Sequence, residues 1–418
     1  MDLQLTEKQE MTRKMAKELA TKEIAPIAAE IDETRKFPKE VIKKMADAGL
    51  YGIIIPPPFG GAGGEKLEYL LALEEIAAAS ASVAWSFAVS VDIALIILAF
   101  GSDAQRKKYL PAMAKGEKLG GLANTEPSGG ANWFMTLQTK AVADGDHYVV
   151  NGSKCFATNA EEADIYIVSV RTDPTKGPMG ISTLIIEKDT PGFSFGKMED
   201  KFGLRGDPTG ELIFEDCRVP KANLLGQEGD GMKILQAAGA IDCAGQPAIA
   251  AGIARAALEA SIKYVKERTV AGPKTVADFD TVQCTIADMA AAVEAAKLLA
   301  YRGAFPAVKE GPDPLIFMGA ILSEQLALDV TGKAVELHGG YGCTKDFPVG
   351  RYFRDAKTLS LVPPTTDFIR AAAGKMILGM PMMGPPPGAG GPPGPGSAPG
   401  PGGPPHGGPP PEAGGPPK

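Results

Sequence analysis

The hydrophobic period changes twice along this 418-residue chain, and that change constrains the fold more than any single motif. Up to about residue 118 the apolar positions recur with helical spacing. Between 119 and 225 the spacing falls to two, as in His147 to Val150, Ile165 to Val170 and Gly210 to Phe214, with Gly and Pro turn signals between the runs. From Gly231 to about Gly379, long Ala-rich segments return to helical spacing. A period-two block between two helical blocks predicts an α+β protein. Its parts are a helical domain at 1–118, a β domain at 119–228 built as a small barrel or sandwich, and a helical bundle at 229–380. Residues 384–418 are nearly all Pro and Gly without a strict Gly-X-Y period, so a disordered tail is expected there.

Within the first block, Thr6 is placed to cap a helix running from 7 to about 31, with a kink at Pro26. Phe37-Pro38 opens another helix, and 66–79 and 83–100 follow. The apolar run at 83–100 is broken by Ser86, Ser90 and Asp92, which predicts a buried helix and not a membrane span. The net charge of −7 comes without a basic cluster, which argues against nucleic acid and anionic membranes as partners. Three histidines and five scattered cysteines offer no metal-ligand spacing, so no metal is expected. The first residues lack a signal pattern, and a cytoplasmic location is expected.

The richest stretch is 122–159. Thr125-Glu126-Pro127 followed by Gly129-Gly130 predicts a stiff turn whose main chain a ligand can approach. Asn151-Gly152 between two strand-like runs predicts a hairpin turn, with the second strand ending at Phe156-Ala157-Thr158-Asn159. These residues alone fit either a flat polar ligand or an ordinary solvated β-meander.

This stretch resembles the flavin-binding middle domain of the acyl-CoA dehydrogenase family, whose pattern is T-E-P-x-x-G-S-D followed by N-G-x-K-x-W-I-T-N. The resemblance continues through Lys201 to Arg205, Phe214 to Pro220, Glu228 to Gly231, Glu267-Arg268, Leu337 to Gly342 and Arg354-Asp355-Ala356-Lys357. It implies two helical domains enclosing a β domain, a flavin adenine dinucleotide (FAD) cofactor, an acyl-CoA substrate, an electron-transfer flavoprotein as partner and a homotetramer. Carried over by position, it implies that Leu122, Ala123, Thr125, Ala131, Phe156, Thr158, Arg268, Asp280, Glu336, Gly339, Gly340, Thr365 and Asp367 contact the cofactor. It likewise implies that Ala131, Asp242, Gln246 and Pro364 contact the thioester. This chain departs from the pattern in several places. Phe156 stands for the usual tryptophan, Ala131-Asn132 for Ser-Asp, and Asp280 for a glutamine. Asp367 is a further departure.

The largest departure concerns the base. Straight-chain members remove an α-proton with a glutamate nine residues after the arginine of R-D-A-K, and that position is Pro363 here. Other relatives place it on a helix, at a position matching Gly245. With both absent, Asp92 is the candidate base. An acid in an almost uniformly apolar helix is costly to bury unless paired, and desolvation raises its basicity. A helix N-cap or a structural hydrogen bond is the other role open to Asp92. Asp242 is the second candidate base, although the alignment assigns it to the CoA chain.

A displaced base resembles the arrangement of the family members that act on alicyclic thioesters. The expected reaction is 1,4-dehydrogenation of cyclohex-1-ene-1-carbonyl-CoA to cyclohexa-1,5-diene-1-carbonyl-CoA. Dehydrogenation of cyclohexane-1-carbonyl-CoA or another cyclic or branched acyl-CoA, and an inert flavin-binding homologue, are the alternatives.

Overall fold

The computed structural model describes residues 4–130, 133–305, 313–362 and 364–380. The N-terminal part holds α1 (Glu7–Leu19), α2 (Ala28–Thr34), α3 (Lys39–Asp47), α4 (Lys66–Ala79), α5 (Ala81–Phe100) and α6 (Asp103–Ala114). Thr6 caps α1 with a full capping box, because its hydroxyl accepts from Gln9 N and the Gln9 side chain accepts from Thr6 N. The single helix expected over 7 to about 31 is divided. A π-turn at Ala20–Ile24 and a 3₁₀ turn at Ala25–Ile27 separate α1 from α2. Pro26 lacks an amide hydrogen and forces this change of winding.

The β part contains β1 (Gly120–Ala123), α7 (Trp133–Thr136), β2 (Lys140–Asp144), β3 (His147–Thr158), β4 (Ile165–Arg171), β5 (Ile181–Glu187), β6 (Phe193–Met198), β7 (Thr209–Pro220) and β8 (Leu224–Leu225). They join in one mixed eight-stranded sheet in the order β6-β7-β3-β2-β4-β5-β8, with β1 parallel to β4. The hairpin expected at Asn151-Gly152 is not there. That dipeptide lies inside β3, where the register against β7 shifts between Val150 and Gly152, so it forms a β-bulge. Gly152 has φ 144°, and a Cβ on it would come within 2.7 Å of Thr139 Cα. The true hairpin turns at Gly145-Asp146, with Gly145 at φ 57° and Asp144 paired to His147.

The C-terminal part comprises α8 (Gly231–Glu267), a small ribbon of β9 (Thr269–Ala271) and β10 (Lys274–Thr275), α9 (Asp280–Arg302), α10 (Pro314–His338), α11 (Val349–Leu359) and α12 (Thr366–Ile377). Both α5 and α10 are long and apolar enough to cross a membrane. α5, however, packs against α4, α6, α8 and β1, and α10 packs against α8, α9, α11 and α12. Burial of each large apolar side chain contributes about 1.5–3 kcal/mol, and α5 buries Val83, Phe87, Val91, Ile93, Ile96 and Ile97.

The polar breaks in α5 have structural reasons. Ser90 Oγ accepts from Gly120 N at 2.9 Å, and Ser86 Oγ bonds Asn159 Oδ1 at 2.5 Å. Asn159 in turn donates to the carbonyls of Ser86 and Gly120. These bonds seat the helix on the start of β1 and the end of β3. They are worth more than their number suggests, because the backbone groups they satisfy are buried.

Candidate active site

Two hollows hold most of the residues singled out by sequence. The first, of about 60 Å³, lies where α5, α8 and the edges of β1 and β3 meet. Its walls include Asp92, Leu122, Thr125, Phe156, Thr158 and Asp242. Asp92 sits in the middle of α5, which rules out the N-cap role. Spacing along that helix puts Trp85, Val89, Asp92, Ile93 and Ile96 on one face, and all five line the cavity.

A buried ion pair fixes the Thr125 turn at the cavity's edge. Lys154 is fully buried in β3 and donates to Glu126 Oε1 at 2.8 Å. Glu126 also accepts from Gln138 N at 2.6 Å, Thr139 N at 2.9 Å and the Thr139 hydroxyl. Burial pulls the Lys154 ammonium down to about 8, while Lys154 and the other donors hold Glu126 below its ordinary range against the cost of its own burial. Gly129 N closes the turn onto Glu126 O at 3.0 Å, and Cys155 N bonds Thr125 O at 2.9 Å. Thr125 is thereby fixed relative to Phe156 and Thr158. Phe156 has φ 56°, is 59% exposed and lies at the cavity edge. Trp85 Nε1 donates to Thr158 Oγ1 at 3.1 Å.

The opposite wall carries the carboxyls. Asp92 is 5% and Asp242 is 8% exposed, and both line this one cavity. Burial first, then the charge of Asp242 and hydrogen bonding toward it, push Asp92 well above the carboxylate range, while Lys66 pulls it back. Burial raises Asp242 to about 6, with the Asp92 hydrogen bond lowering it. Tyr69 faces both acids and is raised by burial and by their charges. Gly245 adds no carboxylate, and a Cβ there would lie 4.0 Å from Tyr69 Oη.

A second hollow, of about 460 Å³, is lined by Arg268, Glu336, Gly339 and Gly340 together with Tyr264, His338 and Tyr341. Tyr264 stacks on His338 at 4.2 Å between ring centres, and the Arg268 guanidinium lies 5.6 Å over the Tyr341 ring. A Cβ added at Gly339 or Gly340 would meet nothing within 4 Å.

The remaining candidates line neither hollow. Ala123 is buried in β1 behind Leu122, and Gln246 is buried in α8 one turn beyond Asp242. Pro364 lies across from Gly239 of α8. Asp280 opens α9 and is exposed, Thr365 precedes α12, and Asp367 pairs with Arg370 at 3.3 Å. Ala131 and Pro363 lie outside the described residues. Sequence reasoning passed over Lys66, Tyr69, Trp85 and Trp133. Trp85 was findable, being seven residues before Asp92 on one helix face. Lys66 and Tyr69 come from a separate helix with no motif, so only the packing of α4 reveals them.

Family models match this chain along its length: the acyl-CoA dehydrogenase N-terminal domain at residues 6–117, the middle domain at 121–217 and the C-terminal domain at 229–377. It is 43% identical over 375 residues to the short-chain specific acyl-CoA dehydrogenase of Clostridium acetobutylicum, covering 88% of this chain and 97% of that one. It is 40% identical over 381 residues to cyclohex-1-ene-1-carbonyl-CoA dehydrogenase of Syntrophus aciditrophicus, covering 90% and 91%. The solved butyryl-CoA dehydrogenase of Megasphaera elsdenii superposes with a TM-score of 0.88 at 37% identity, over 90% of this chain and 100% of that one. The chain belongs to the acyl-CoA dehydrogenase family, flavoprotein oxidoreductases that act on CH–CH bonds of acyl-CoA thioesters.

Proposed function

We propose that this chain dehydrogenates an alicyclic acyl-CoA, converting cyclohex-1-ene-1-carbonyl-CoA to cyclohexa-1,5-diene-1-carbonyl-CoA. The observation that carries the reading is the placement of the carboxyls. Positions 245 and 363 hold Gly and Pro, whereas Asp92 and Asp242 face one cavity with Thr125, Phe156 and Thr158. The similarity to the Syntrophus aciditrophicus enzyme supports it. The identity to the short-chain enzyme is slightly higher, 43% against 40%, so the argument rests on the carboxyls.

The residues fit FAD. The cavity edge has an exposed aromatic face and two hydroxyls, and the second hollow offers a guanidinium and two glycines that leave open space. Phe156, Thr125, Thr158, Leu122 and Ala123 would hold the ring system, the aromatic face and the two hydroxyls supplying stacking and polar contacts. Arg268, Glu336, Gly339 and Gly340 would reach the cofactor of a neighbouring subunit, at its adenosine end. Asp280, Thr365, Asp367 and Ala131 are assigned further contacts through the family pattern. When bound, the flavin supplies a two-electron hydride acceptor.

Asp92 acts as the base. In a ring with a conjugated thioester, the γ-proton is acidified, and a base displaced from the α-carbon reaches it. Asp92 takes that proton while a β-hydrogen leaves as hydride, which is a 1,4-elimination. The apolar wall of Val89, Ile93 and Ile96 excludes water and keeps the carboxyl basic. Asp242, Gln246, Pro364 and Ala131 are assigned to the thioester side. An electron-transfer flavoprotein as acceptor, a homotetramer and a cytoplasmic setting complete the reading.

The test is anaerobic absorbance in the flavin band after adding cyclohex-1-ene-1-carbonyl-CoA, with the product identified by mass. Bleaching with loss of two hydrogens is expected. Bleaching only by the saturated ring thioester would move the assignment to that substrate. No bleaching by either would point to an inert homologue.

A further inference from the structure

We infer that Asp92 and Asp242 act as one unit holding a single shared proton, and that Asp242 is the positioning residue that takes over this proton when Asp92 accepts one from the substrate. The inference rests on Asp92 being the base and adds what makes it one. The two acids come from different domains of the chain, α5 and α8, and close on each other at the cavity wall. Both side chains are buried and line the same small cavity. Two ionised carboxylates have only acceptors, so a hydrogen bond between them requires a proton on one. A second negative charge in the same dry space is also unfavourable.

Burial and the like charge raise both carboxyls, so the pair keeps one proton between them. While that proton is on Asp92, Asp92 cannot accept another. The Asp92 O–H bond therefore breaks as an Asp242 O–H bond forms, and the negative charge moves from Asp242 to Asp92. The freed carboxylate then takes the substrate proton, and the electron pair of the broken C–H bond stays with the ring. Both acids finish protonated, so the pair gains one proton per turnover. The titratable groups facing the pair are Lys66 and Tyr69 of α4 and Cys243 of α8. Lys66 favours a net charge of minus one over neutrality. The Tyr69 hydroxyl is buried without a hydrogen-bond partner among the described residues, which leaves it as a neutral donor beside the acids.

Infrared titration of the purified holoenzyme tests this in the wild type, Asp92→Asn and Asp242→Asn. The wild type should keep a buried carboxylic-acid C=O band at about pH 8, where lone carboxyls are ionised. Asp92→Asn should lose that band and all turnover. In Asp242→Asn the Asp92 band should vanish more than about one pH unit lower, because the like charge is gone. A wild type without the band, or an Asp242→Asn titration identical to wild type, would overturn the shared proton while leaving Asp92 as the base. An active Asp92→Asn would overturn the base itself.

Discussion

Trp85 Nε1 donates a 3.1 Å hydrogen bond to Thr158 Oγ1, tying the helix that carries Asp92 to the strand edge that carries Phe156. Ser86 and Ser90 fasten the same helix to the same sheet through Asn159 and Gly120. The carboxyl wall and the aromatic edge are therefore held at one spacing by bonds between side chains that pack in different layers.

That bond should be measurable in a double-mutant cycle of Trp85→Phe and Thr158→Val. A coupling of about 1 kcal/mol in denaturant unfolding is expected for a partly buried neutral hydrogen bond. Strictly additive losses would show that the contact contributes nothing to stability.

The Lys154–Glu126 pair should behave as a buried ion pair whose members are worse apart than together. Lys154→Met leaves Glu126 without its cation and should cost about 3–5 kcal/mol. Adding Glu126→Gln should recover part of that, since the unpaired charge is gone and the amide oxygen can still accept from Thr139 N and the Thr139 hydroxyl, although the acceptor for Gln138 N is lost. Unfolding midpoints of the two variants decide it: a double variant no more stable than Lys154→Met alone would contradict the account. Because these bonds set the Thr125 turn, both variants should also retain less flavin on dilution.

The three-part layout was legible because it depends on hydrophobic period, which sequence carries directly. The boundaries of α4 follow from the same signal, as does the end of α5, which begins at Ala81, two residues before the expected start. The Asn151-Gly152 bulge was misread because the dipeptide suits a turn equally well, and only the pairing of β3 with β7 tells the two apart. There the Asn151 side chain bridges to Asp216, accepting from its amide at 2.8 Å. Asp92 stood out as an acid in an apolar helix and Asp242 as the second candidate, but that the two meet at one cavity did not. Asp242 lies 150 residues later on a different helix, and long-range packing alone brings them together.

Two glycines beside these features should respond in opposite directions to alanine. At Gly152, φ 144° and the Thr139 backbone at 2.7 Å leave no room, and Gly152→Ala should lose about 1–3 kcal/mol. At Gly245, inside α8, a methyl meets only Leu73 Cδ2 at 3.6 Å and Tyr69 Oη at 4.0 Å. Gly245→Ala should then be neutral or stabilising by up to about 1 kcal/mol, the helix propensity difference. Thermal unfolding of the two variants side by side is sufficient, and a destabilised Gly245→Ala would mean that the space is tighter than its neighbours indicate.

Glu324 should give the protein a pH-dependent stability that can be removed by one substitution. It is 2% exposed on α10, accepts from Thr366 Oγ1 at 2.6 Å, and is raised to about 7 by burial, with Thr366 and Arg370 opposing. The unfolded chain gives up this proton at its ordinary value of 4.5, before the folded protein does. Stability is therefore fully present below about 4.5, falls as pH rises toward 7, and levels off above it. Glu324→Gln cannot ionise, and its amide oxygen still accepts from Thr366. The variant should gain on the wild type by on the order of 2–3 kcal/mol between about pH 4.5 and about pH 8. Asp355, buried and raised to about 6, adds a parallel slope that both proteins keep, so the difference between them isolates Glu324. Denaturant midpoints across that range should diverge with rising pH. Midpoints that stay parallel would mean that Glu324 is ionised in the folded protein at no cost, and that the Thr366 hydroxyl compensates for its burial.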